Sequence, residues 1–152
     1  MSTVTELADP PTTGPRLTYL IKRLEMAERA RMEEVLQAHA VTLHQYTALS
    51  LLERRDGLSS AQLARRHFVT PQAMNQLVAT LEREGLIRRE PDPANRKILR
   101  VSLTDRGRST LAACHGAVDE LENRMLAGFT AEQVHEFRTA LERSLQGLVA
   151  GA

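Results

Sequence analysis

Tryptophan is absent, aromatic residues amount to three Phe and two Tyr, and the 152 residues hold a single cysteine, Cys114. One thiol cannot close an internal disulfide, so the fold must rest on an aliphatic core, as suits a reducing compartment. No stretch approaches the ~20 apolar residues that a membrane helix needs. The opening MSTVTELADPPTTGPR lacks a basic segment followed by an apolar run, so a cytoplasmic protein with no secretory leader and no membrane partner is expected. Also missing are a nucleophile elbow, a phosphate-cradling glycine loop and a metalloprotease motif, which argues against an enzyme. Pro10, Pro11, Gly14 and Pro15 crowd one short stretch. Residues 1–15 therefore read as a flexible arm and residues 16–150 as one domain.

What charge there is lies unevenly. The chain carries 20 Lys and Arg against 19 Asp and Glu, yet residues 54–108 hold 12 against 6 and the remainder 8 against 13. A basic middle between acidic ends is what a central nucleic-acid-binding lobe flanked by non-binding helices would produce.

Periodicity supplies the elements. Leu17, Leu20, Ile21, Leu24, Ala27, Val35 and Leu36 make the stripe of a long amphipathic helix ending near His39. Three segments repeat one start signal, a Ser or Thr followed three positions on by Gln between apolar residues: Thr42 with Gln45, Ser59 with Gln62, Thr130 with Gln133. Each can form a capping box, which places helix starts near residues 43, 60 and 131. Thr70 and Pro71 mark a fourth start, and Gly85 stops that helix. The period then changes to two. Leu86–Glu90 and Ile98–Leu103 flank a turn-rich segment, Pro91–Lys97, and predict a β-hairpin with Leu99, Val101 and Leu103 facing inward. Thr104 caps a further helix carrying Gly107, Leu111, Cys114, Val118, Leu121 and Met125 at heptad spacing. The last helix aligns Val134, Phe137, Leu141, Leu145 and Leu148 on one face.

Two short helices over residues 60–84, joined only by His67, Phe68 and Val69, are a helix-turn-helix. If Met74, Leu77, Val78 and Leu81 are buried, then Gln72, Asn75, Gln76, Thr80 and Arg83 lie outward. Side-chain amides near the start of a protruding helix suit the adenine edge in a major groove, and the helix N-terminus beginning at Thr70 and Pro71 favours a phosphate. The hairpin makes a wing, with Arg96 at its tip aimed at a minor groove and Lys97, Arg88, Arg89 and Arg100 available to phosphates. The fold class expected is mainly α with a small β-hairpin wing. The alternative is a winged-helix protein-binding or architectural module without operator specificity; a protein-binding module would shed its outward basic residues, and these are retained.

The runs Gly57–Ala64, Thr70–Val78, Leu81–Arg89, Asp92–Lys97 and Leu103–Gly107 together resemble the MarR family over about residues 16–150. The resemblance implies a homodimer built from helices over 16–39 and 104–150, with a double-stranded-DNA-binding lobe over about 42–103. It further implies a regulator, usually a repressor, that binds an inverted repeat and is often released by a small aromatic or anionic effector. Base-reading roles fall on Gln72, Asn75 and Gln76 beside Thr70 and Pro71, wing and backbone roles on Arg88, Arg89, Asn95, Arg96 and Lys97, and an effector crevice near His44 and Tyr46. Two positions depart from the family pattern: Gln76 stands where Arg is common, and Asn95 where Asp is common. Peroxide-sensing relatives use a cysteine of the first helix, whereas Cys114 sits on an apolar seam and reads as buried and inert. His39, His44 and His115 raise zinc, which a few relatives bind, but no pair has ligand spacing on one helix, so no metal or other cofactor is expected.

Overall fold

The computed structural model describes residues 14–150; the arm expected at 1–15 lies almost wholly outside them. Six helices and three strands follow in the order α1 (Leu17–Gln37), α2 (Leu43–Arg54), β1 (Leu58–Ser59), α3 (Ser60–His67), α4 (Pro71–Arg83), β2 (Ile87–Pro91), β3 (Leu99–Leu103), α5 (Asp105–Met125) and α6 (Ala131–Val149). All three capping boxes form, with Thr42, Ser59 and Thr130 each accepting from the N3 amide while the Gln side chain accepts from the cap N–H. These are contacts within four residues, which is why the helix starts were readable from the chain alone. Gly85, at φ 75°, lets Leu86 N–H reach back to Leu81 O at 3.0 Å and closes α4.

The sheet runs in the order β1-β3-β2, antiparallel throughout. Strand β1 has two residues, too few for any period, and sequence reading misses it. Leu58 opposite Val101 and Ser59 opposite Arg100 tie the entry of α3 to the wing. The hairpin is as expected in place and pairing, but its inward face is shorter. Val101 and Leu103 are buried, whereas Leu99 is 41% exposed because it pairs with Pro91 beyond the edge of the helices.

Two cores divide the chain. The larger joins α2, α3, α4 and the strands around Leu49, Leu63, Met74, Val78, Leu81 and Val101. Each fully buried aliphatic side chain there contributes about 1.5–3 kcal/mol relative to exposure. The smaller core packs Met32 and Leu36 of α1 against Val41 and Cys114. Tyr46 touches both. The heptad seam of α5 is buried only over Gly107, Leu111 and Cys114, and Met125 at its far end is exposed. Burial without a neighbouring charge raises the Cys114 thiol above its usual range, as its seam position predicts. Helix α6 buries no residue completely; Val134 and Phe137 are half-covered, and Leu141, Leu145 and Leu148 face outward.

Candidate nucleic-acid interface

Helix α4 stands on its apolar stripe. Met74, Val78 and Leu81 are buried and Leu77 half-buried, so Gln72, Asn75, Gln76 and Arg83 emerge on the open side. Thr70 Oγ1 accepts from Ala73 N–H at 3.1 Å, and Pro71 occupies N1, where its missing N–H costs nothing. The side chains are not all equally free. Ser60 Oγ donates to Asn75 Oδ1 at 2.6 Å, so Asn75 is held to α3 through one lone pair of its carbonyl and keeps the other and its amide hydrogens. Bidentate pairing by Asn75 uses the second lone pair of that carbonyl or opens the Ser60 bond. Gln76 makes no such contact among the described residues; it borders a cleft of about 380 Å³ with Thr80, His44 and His67.

The wing is braced by a residue that sequence reading did not single out. Asp92 accepts from the amides of Ala94 (2.7 Å) and Asn95 (3.3 Å) with one oxygen, while Arg100 Nε donates to the other at 2.5 Å. The Ala94 amide first, then the Arg100 guanidinium, hold the Asp92 carboxyl below its ordinary value. Asn95 makes no pair with Arg96. Its Oδ1 instead accepts from Lys97 N–H at 3.2 Å, ordering the tip without neutralising it.

Of the cations expected to meet phosphate, three are engaged within the chain. Arg89 grips Glu82 through two hydrogen bonds at 2.8 and 3.0 Å, Arg88 pairs with Glu90 at 3.1 Å, and Arg100 serves Asp92. Arg96 and Lys97 form no ion pair among the described residues and are fully presented. A polar cleft of about 430 Å³ beside the wing gathers Arg55, Arg65 and Arg100 with Asp56 and Asp92.

The histidines separate rather than converge. His44 Nδ1 lies 2.9 Å from His67 Nε2, linking α2 to the end of α3, and burial together with the His44 ring pushes His67 below its usual value. His115 is drawn elsewhere: its Nε2 donates to Glu53 at 2.8 Å, and Tyr46 Oη donates to its Nδ1 at 2.8 Å. His39 joins neither group, and no cluster of three His, Cys, Asp or Glu side chains placed to hold a metal occurs among the described residues. A second cleft of about 430 Å³, between the end of α1 and the start of α2, is lined by Arg29, Glu33, Val41, Leu43 and His44. His44 thus borders two clefts, and Tyr46 neither.

The MarR family model matches residues 40–98, the stretch from α2 to the turn of the wing, stopping short of β3. Over 127 residues the chain is 36% identical to the HTH-type transcriptional repressor Rv2887 of Mycobacterium tuberculosis, covering 84% of this chain and 91% of that protein. The chain belongs to the MarR family. It is a DNA-binding transcriptional regulator of that family, and the solved structures agree. The Rv2887 structure in complex with DNA superposes with a TM-score of 0.74 at 35% identity, covering 86% of this chain and 98% of the other. The same protein complexed with p-aminosalicylic acid gives 0.70 at 36% identity, covering 85% and 98%. A MarR variant from E. coli, 22% identical, has the same fold at a TM-score of 0.77, covering 88% and 98%. The winged helix and its flanking helices are therefore those of a MarR protein. The protein-binding alternative falls away.

Proposed function

We propose that this MarR protein acts as a homodimeric repressor, laying α4 of each subunit in a major groove of an inverted-repeat operator and each wing along the flanking minor groove. The observation that carries this reading is that, among the described residues, the exposed side-chain amides of Gln72 and Gln76 on α4 and the exposed cations of Arg96 and Lys97 at the wing tip have no partner within the chain. Amides suit base edges and cations suit phosphates or a narrow groove. Asn75, tethered to Ser60, joins the readout, while Arg88, Arg89 and Asn95 shape the wing. Thr70 and Pro71 present the helix terminus. Dimerisation falls to α1, α5 and α6, within residues 16–39 and 104–150, with the binding lobe over 42–103. No catalytic activity belongs to this reading, and a regulator of chromosomal DNA works in the cytoplasm.

The relative's structures with salicylic and p-aminosalicylic acids support a small aromatic acid as effector here. The cleft between α1 and α2 suits one, with Val41 and Leu43 offering apolar wall and Arg29, paired with Glu25 in the free protein, a cation that a carboxylate would draw from that pair. His44 borders that cleft, and Tyr46 contributes through the neighbouring core. Selection of binding sites from random DNA, followed by titration of the selected duplex with and without salicylate, tests both halves. An enriched inverted repeat whose affinity falls with salicylate is expected; no enrichment over scrambled DNA would overturn the reading.

A further inference from the structure

Helix α3 ends on Phe68 in the left-handed conformation, φ 57° and ψ 38°. Glycine takes this conformation freely, whereas an L side chain there meets steric resistance. Residues held in such regions, when the surrounding structure fixes them, cluster at functional sites. The chain uses the bend itself, since it returns Val69 N–H to Ala64 O at 3.2 Å and sets Thr70 to cap α4. It does not use the ring. Phe68 is 95% exposed, the most exposed of the large apolar side chains among the described residues, and it packs on neither core. Strain without intramolecular contact points outside the molecule.

Its surroundings select the partner. The ring stands two residues before the N-cap of α4, next to the exposed Arg65 and Arg66, within the segment 54–108 that holds 12 basic against 6 acidic residues. A second copy would bring the same excess of positive charge to this spot and be repelled, whereas a polyanion is attracted. The exposed aliphatic faces lie on α1 and α6, not here. Resting on the DNA-binding reading above, we propose that Phe68 is a DNA contact. Its ring packs on the deoxyribose face of the backbone as α4 enters the groove, adding apolar contact that reads no base and neutralises no phosphate.

Phe68→Gly and Phe68→Asn test this, since both residues accept the left-handed conformation and Asn keeps the turn stiffer than Gly does. Both variants should melt at or above the parent temperature. Both should bind the selected operator and a scrambled duplex about 5–10-fold more weakly, for roughly 50 Å² of ring surface no longer withdrawn from water. The slope of log affinity against log salt should stay that of the parent, because no charge is lost. Parent-like affinity in both variants overturns the proposal, as does a loss confined to the operator or a reduced salt slope. A parent protein that binds neither duplex would instead overturn the DNA-binding reading on which the proposal rests.

Discussion

Gln76 and Lys97 differ in what they can do for a duplex, and their removal should leave different signatures. Gln76→Ala removes an amide able to pair bidentately with adenine, costing about 1–3 kcal/mol on the operator with little change on scrambled DNA. Lys97→Ala removes a counterion-releasing contact, weakening all duplexes alike and lowering the salt slope by about one contact. Titrations of both variants on both duplexes at several salt concentrations check this; equal losses for Gln76→Ala on operator and scrambled DNA would make α4 an anchor only. Gly107 carries a different kind of constraint. A Cβ there would lie 2.0 Å from the Leu86 carbonyl oxygen, which already accepts from Thr104 N–H at 3.1 Å. Backbone cannot move aside as a side-chain tip can. Gly107→Ala should destabilise the fold by about 1–3 kcal/mol or more, read as a lower denaturation midpoint with an unchanged slope.

Among the elements, the wing depends most on one side chain. Asp92 closes its turn through two amides and fastens β3 through Arg100, and its folded pKa lies below the ordinary 3.8. A depressed carboxyl contributes stability that is complete above its unfolded value and disappears as pH falls through the lowered one. The wing should therefore loosen below about pH 3.8. Amide chemical shifts of Ala94 and Asn95 should move with that titration in the parent. In Asp92→Ala they should hold the loosened values at neutral pH, and the variant should bind DNA more weakly although no DNA-facing cation is removed. A parent-like wing spectrum in Asp92→Ala would contradict this. Element starts were legible because a capping box closes within four positions, as at Thr42, Ser59 and Thr130. Strand β1 was not, because two residues have no period and gain their identity from Val101 and Arg100 across the sheet.

At the scale of the whole molecule, exposed aliphatic side chains gather on the outer helices. Leu17, Leu20, Ile21 and Leu24 of α1 and Leu141, Leu145 and Leu148 of α6 are all open in the single chain. A monomer seldom leaves so much aliphatic surface uncovered, and a self-complementary pairing would cover it on both copies. Sedimentation equilibrium at micromolar concentration should give twice the 17.0 kDa chain mass. Leu145→Glu with Leu148→Glu should shift the population to monomer, and a folded monomer in the parent would refute the dimer. Tyr46 packs against both cores and reaches His115 of α5, so under the proposed effector reading it links them. Tyr46→Phe should leave folding intact and change how far an effector alters DNA affinity, measured as the ratio of operator affinities with and without salicylate.

By itself the sequence determined the helix starts, the two-residue period of the hairpin, the buried stripe of α4 and the family. Each is a regularity of neighbours, or of several short runs in a fixed order. Only the tertiary structure decided which polar groups remain available to a partner. Tyr46 and His115 stand 69 positions apart, His115 and Glu53 62, His44 and His67 23, and Ser60 and Asn75 15. No periodicity links residues at such separations. Their pairing follows from how the two cores pack the helices together, whereas Arg88, Arg89 and Arg100 are engaged locally, with Glu90, Glu82 and Asp92, and Gln76, Arg96, Lys97 and Phe68 are left facing outward.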